Sequence, residues 1–231
     1  DIGIPSKKEI DLIFQIFKER VLSANEEDWA KLCRAVYELV DHGHKDEGIL
    51  DVFRQRYKKT VAPHYANWVV KSYELPDREK LWTKQVEQIF AYAETRVTAE
   101  DAHYDLYNLF SFLSDFPETQ KRLIWQAIKH PHSRVRYGAY WYWDDLPKDK
   151  VLPFIKKGLS EKDKFLRDRC AEAFAKGLGT KKDLPCLREV LLKEKEEFIR
   201  KTLQKAIERI SQGKQKSDSN DQNVGDGEDE K

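Results

Sequence analysis

The sequence predicts an all-α protein, an α-solenoid of about six antiparallel helix pairs. Three observations carry this expectation. Apolar residues recur at helical spacing from end to end, and no alternating strand pattern of useful length competes. In the second half, Val135-Arg136, Leu166-Arg167 and Ile199-Arg200 stand 31 and 33 residues apart. Ala139, Cys170 or Leu203 follows three positions after each arginine, and Trp143, Phe174 or Ile207 four later. Finally, Leu152-Pro153-Phe154-Ile155 matches Leu184-Pro185-Cys186-Leu187, 32 residues on. A period of this size marks stacked units, because one helix pair cannot bury its apolar stripe alone. Phe174 and Ile207 are therefore expected in buried seams.

Taken in order, Ser6-Lys7-Lys8-Glu9 reads as a capping box after Pro5. It opens a helix with Ile10, Ile13, Phe14, Phe17 and Val21 on one face. Asn25 caps the next, striped by Trp29, Leu32, Cys33, Val36, Leu39 and Val40, and Gly43 is placed to end it. Ile49, Leu50, Phe53 and Tyr57 mark a third helix stopped near Pro63, and Tyr65, Trp68 and Val69 a short fourth. Pro76-Asp77 starts the fifth, carrying Leu81, Val86, Ile89 and Phe90. Thr98-Ala99-Glu100-Asp101 resembles another cap, leading into Leu106, Leu109, Phe110 and Leu113. Pro117, Ser133, Pro147, Asp163, Asp183 and Glu196 lie near the remaining starts, which brings the total to about twelve helices.

The expected organisation is an irregular helical half over 1–116, regular repeats over 117–212 and an acidic tail over 213–231. The tail's Ser, Asp, Asn, Gln, Gly and Lys cannot offset ordering entropy, so it is expected to be disordered. From Ser217 to Lys231 the tail carries six acidic side chains against one lysine, leaving 41 basic and 35 acidic residues before it. That surplus is well short of a concentrated nucleic-acid footprint. Cys33, Cys170 and Cys186 are too few for a disulfide framework in 231 residues. Cys170 stands where its sister repeats have Ala139 and Leu203, so it reads as a small core residue, and a cytoplasmic setting is expected. The chain has no methionine and is read as processed or trimmed. No apolar run approaches the ~18 residues of a membrane span, so no membrane partner is expected.

The string Ser133-Arg134-Val135-Arg136-Tyr137-Gly138-Ala139 resembles the HEAT-like repeat family, clearly over 118–212 and architecturally over 6–115. The resemblance implies helix pairs whose second helices turn their wet face to the inner, concave surface. It also favours an aspartate four residues before the arginine; only Asp163 fits, with His132 and Glu196 in the other units. Arg136, Arg167 and Arg200 are expected to satisfy carbonyls or carboxylates at the turns between helices.

Comparing repeats also nominates a surface. Tyr137 matches Asp168 and Lys201, Trp141 matches Glu172 and Lys205, and Asp145 matches Lys176 and Arg209. Where its sisters carry charge, one unit shows aromatics, with Tyr140 beside them. Exposed aromatics on a helix are typical of interaction hot spots. Tyr137, Tyr140, Trp141 and Asp145 are the expected contacts for a protein partner, with Lys201, Lys205 and Arg209 as peripheral charges. The expected function is a non-enzymatic binding module without a cofactor. The alternative is nucleic-acid binding, because Trp141 and Asp145 resemble the aromatic–aspartate pairing of alkylpurine DNA glycosylases built of HEAT-like repeats. His42-Gly43-His44 and His130-Pro131-His132 supply too few convergent ligands for metal and are expected to finish helix ends. No phosphate-cradling glycine loop or Gly-x-Ser-x-Gly elbow is present.

Overall fold

The first helix, α1 (Lys7–Arg20), starts on Ser6, whose backbone N–H donates to Glu9 at 2.7 Å while its hydroxyl accepts from the Glu9 N–H at 3.4 Å. The structure is a computed structural model describing residues 5–58, 62, 64–95 and 102–213. The cap expected at 98–101, Pro63 and the tail beyond Gly213 lie outside the described residues. Eleven further helices follow: α2 (Glu26–Asp41), α3 (Leu50–Tyr57), α4 (His64–Ser72), α5 (Arg78–Thr95), α6 (Ala102–Phe112), α7 (Pro117–Ile128), α8 (Ser133–Ala139), α9 (Lys148–Gly158), α10 (Lys164–Ala175), α11 (Leu184–Lys193) and α12 (Glu197–Ser211). Among the described residues there is no strand. The protein is all-α, of the helical-repeat class, and no described helix is long and apolar enough to cross a membrane.

The chain divides into two compact units, Asp1–Pro147 and Lys148–Lys231. In the first, the even-numbered helices form a row: α2 packs on α4, α4 on α6 and α6 on α8. The odd-numbered helices lie behind, α5 against α6 and α7, and α7 against α8. The deepest core joins Phe17, Trp29, Phe53 and Tyr57, with ring centroids 5.5 to 6.3 Å apart. Buried Gln85 closes the polar ends nearby: its amide donates to the Tyr57 carbonyl at 2.6 Å, and its oxygen accepts from the Ala62 N–H at 2.7 Å. Both halves of this buried amide are satisfied, which a core position demands. Gly43 ends α2 at φ 85, and His44 N–H reaches back to the Leu39 carbonyl at 2.9 Å.

In the second unit, α9 pairs with α10 and α11 with α12, while α10 and α12 lie side by side. Leu166, Cys170, Phe174, Leu203, Ala206 and Ile210 are buried along that seam. Ile207 is only half-buried, contrary to the expectation from its alignment with Phe174. The last hairpin has no successor among the described residues, so the stripe of α12 narrows onto Leu203, Ala206 and Ile210.

The repeated arginines do the same thing in every unit. Arg136 Nη1 donates to the carbonyls of His130 and Pro131 at 2.7 and 2.5 Å. Arg167 Nη1 reaches Glu161 and Lys162 at 2.9 Å each, and Arg200 Nη1 reaches Leu191 and Glu194 at 2.8 and 3.1 Å. Each guanidinium thereby satisfies carbonyls at the end of one helix where the chain turns into the next. The residues four positions before the arginines diverge in chemistry. Asp163 and His132 accept from backbone N–H groups as caps, whereas Glu196 makes no side-chain cap bond. Glu194 takes its place, accepting from the N–H groups of Lys195 and Glu196 at 2.8 and 3.0 Å.

Candidate functional site

Helix α8 is cut short at Ala139, and a 3-10 segment, Tyr140–Asp145, continues it with non-helical Tyr142 at φ -114, ψ 24. Its sister α10 runs unbroken to Ala175. The cause is local: four consecutive aromatics crowd one another at α-helical pitch, and two aspartates oppose the partial negative charge of a helix end. Pro147 then holds Leu146 extended, at φ -111, ψ 154. Trp141 and Asp145 are therefore not one α-helical turn apart.

This winding sorts the aromatics. Tyr140 is 2% exposed and Trp143 is buried, so Tyr140, expected at the surface, belongs to the core; its sister residue Ala171 is likewise buried. Trp141 is 39% exposed and Tyr137 half-buried. The Trp141 ring meets Tyr137 at 73° with centroids 6.4 Å apart, and meets Tyr107 on α6 at 67° and 5.3 Å. Tyr107, 41% exposed, also packs on Tyr142, whose hydroxyl donates to the Tyr107 carbonyl at 2.6 Å. Burial pushes the Tyr142 hydroxyl pKa far up, so it stays a donor. Two edge-to-face contacts thus hold the indole with part of its surface open, a geometry aromatic pairs favour.

Tyr107 did not emerge from sequence because α6 lies outside the aligned repeats. Its one visible signal is an aromatic among the apolar positions Leu106, Leu109 and Phe110, which are buried.

Asp144 and Asp145 are exposed beside this cluster and make no hydrogen bond or ion pair among the described residues. Burial and the neighbouring Asp144 raise the Asp145 pKa from its ordinary value, against the opposing pull of Lys121. A cation placed there would relieve both effects.

The other expected residues lie on α12, in the second unit. Lys201 and Lys205 are exposed, with Lys201 3.9 Å from Glu197. Arg209 is half-buried, donates to the Phe174 carbonyl at 3.5 Å, and lies against Gly177, where a Cβ would approach Nη2 to 2.7 Å. Successive i+4 steps rotate by about 40°, so the third member of such a row turns away from the first. Arg209 therefore closes the end of α10 rather than extending the lysine row.

The histidine turns also act at helix ends. His42 Nδ1 lies 2.7 Å from the Glu38 carbonyl, and buried His130 accepts from the His132 N–H at 3.1 Å. Cys170 is buried in the core.

No curated protein and no solved structure matches the chain. The family model of HEAT repeats matches residues 120–208. HEAT repeats generally mediate protein interaction or scaffolding. The matched segment carries the three arginine-plugged hairpin turns, and over residues 120–208 the chain is similar to HEAT repeats.

Proposed function

We propose that the chain is a non-enzymatic HEAT-repeat binding module that holds a protein partner on the Trp141 surface. The carrying observation is the indole of Trp141, 39% exposed and gripped edge-on by Tyr107 and Tyr137, where the sister repeats carry charge. A rigid aromatic anchor presents large apolar area with little rotamer entropy left to lose, which is the chemistry of an interface hot spot. Tyr137, Trp141 and Asp145, joined by Tyr107 and Asp144, form the contact set. Lys201 and Lys205 supply charge on a separate unit, and Tyr140 serves the core.

The test places a photo-crosslinking phenylalanine analogue at position 141 of the full chain in cells, with the same analogue at Leu12 on α1 as control. A discrete protein adduct from position 141 and not from Leu12 is expected. The same adducts from both positions, or none from 141, would remove the proposal.

A further inference from the structure

The Trp141 cluster is one end of a longer aromatic band. Tyr107 is followed on α6 by Asn108, whose amide lies 3.3 Å from His64 Nδ1 on α4. The Trp68 indole N–H donates to His64 Nε2 at 3.0 Å, and burial lowers the His64 pKa. Tyr65 and Trp68 in turn meet Tyr37 on α2, with centroids 5.7 and 5.9 Å apart. All four even-numbered helices of the first unit therefore contribute rings that are at least partly open: Tyr37, then Tyr65 and Trp68, then Tyr107, then Tyr137 and Trp141. Partly open rings on four adjacent helices, bridged between α4 and α6 by the Asn108–His64 contact, are unusual in a chain with 36% charged residues and mark an interaction site.

The charges along the band say what fits it. Asp41 ends α2, and Asp144 and Asp145 end the 3-10 segment after α8, where unsatisfied carbonyls already make the helix ends negative. Two cations on the band are engaged with its rings, Arg34 5.7 Å from the Tyr65 centroid and Lys71 5.1 Å from that of Trp68, while Lys121 acts on Asp145. Arg134 stands at the opposite, N-terminal end of α8. These internal contacts show that the rings accept a guanidinium or ammonium, the interaction for which indole is the best partner. Phosphates would meet Asp41, Asp144 and Asp145 instead.

We infer that the band is a docking track for an extended basic segment of another protein chain. The segment crosses from α8 to α2 and sets a lysine or arginine over Trp141 against Asp144 and Asp145. This rests on the protein-binding reading above and specifies its partner. Neighbouring helix axes lie ~8–10 Å apart, so four helices span roughly 25–30 Å. An extended chain covers that with about eight or nine residues.

The test measures fluorescence anisotropy of the full chain with two pools of labelled peptides of roughly nine residues. One pool carries Lys or Arg at alternate positions among Pro, Leu and Gly; the other carries Asp or Glu there. An oligothymidine of the same length is the third probe. The basic pool should bind at least about tenfold more tightly than either other probe, and Trp141→Ala should abolish most of that. Tyr37→Ser and Asp41→Lys, at the far end, should each weaken it about threefold or more, and Asp144→Asn with Asp145→Asn should erase the preference for basic over acidic peptides. Asp41 is exposed, so its variant reports even if Tyr37→Ser unfolds. Loss at Trp141 with no effect at Asp41 would overturn the track while leaving a local protein site. Equal binding of both pools, or tighter binding of the oligothymidine, would overturn the basic-segment assignment, whereas failure of the crosslink at position 141 would remove the protein site itself.

Discussion

At Arg167 the guanidinium is shared between two tasks: Nη1 closes its own turn, while Nε and Nη2 donate to both carboxylate oxygens of Glu194 at 2.7 and 3.1 Å. The Glu194 side chain is 3% exposed, so removing Arg167 leaves a buried carboxylate without its cation, held only by the Lys195 and Glu196 N–H groups. Arg167→Ala should cost about 3–5 kcal/mol in urea unfolding. A loss below ~1 kcal/mol would mean that water replaces the arginine there. Burial alone would push the Glu194 pKa up, but the hydrogen bonds from Arg167 and from the N–H groups of Glu196 and Lys195 outweigh it and hold the value below 4.5. A carboxyl with a folded pKa below its unfolded one contributes stability above the unfolded value, and that contribution fades as pH falls through the folded one. Thermal unfolding of the parent should therefore weaken steeply below about pH 4.5. Glu194→Gln should be less stable at neutral pH and lose less on acidification; parallel acid profiles would show that Glu194 is not the titrating group.

At the scale of the element, the 3-10 segment decides which ring points out. Tyr140→Ala should destabilise by about 3–4 kcal/mol, because it empties a core site, whereas Trp141→Ala should cost no more than ~1 kcal/mol. The ordering checks the register by denaturation alone, and a reversed pair would place the indole inside. The repeat alignment brought Trp141 to a position whose counterpart on α10, Glu172, is itself only half-buried. It did not bring out the burial of Tyr140, whose counterparts Ala171 and Gln204 are buried and exposed respectively. Periodicity assigns a face only while the pitch is constant, and four successive aromatics change the pitch.

For the whole molecule, the formal net charge of +1 hides a mildly basic helical body, 41 basic against 35 acidic residues, and an acidic tail sequence. With Asp41, Asp144 and Asp145 along the aromatic row, the chain should show no duplex-DNA binding at physiological salt by electrophoretic mobility shift. Binding that fell about tenfold or more between 50 and 200 mM salt would indicate several phosphate contacts and favour the nucleic-acid reading.

Helical class, the approximate helix number, the capping box at Ser6, the end of α2 at Gly43 and the role of the repeated arginines were all legible in the chain. Each depends on neighbours within one or two turns or on a period that the chain itself repeats. The path from Tyr107 to Trp141, the connection through His64 to Tyr37 and the inward turn of Tyr140 emerged only in three dimensions. Those contacts join helices tens of residues apart in the chain, where side-chain packing, rather than local propensity, selects which partly apolar face is covered and which meets water.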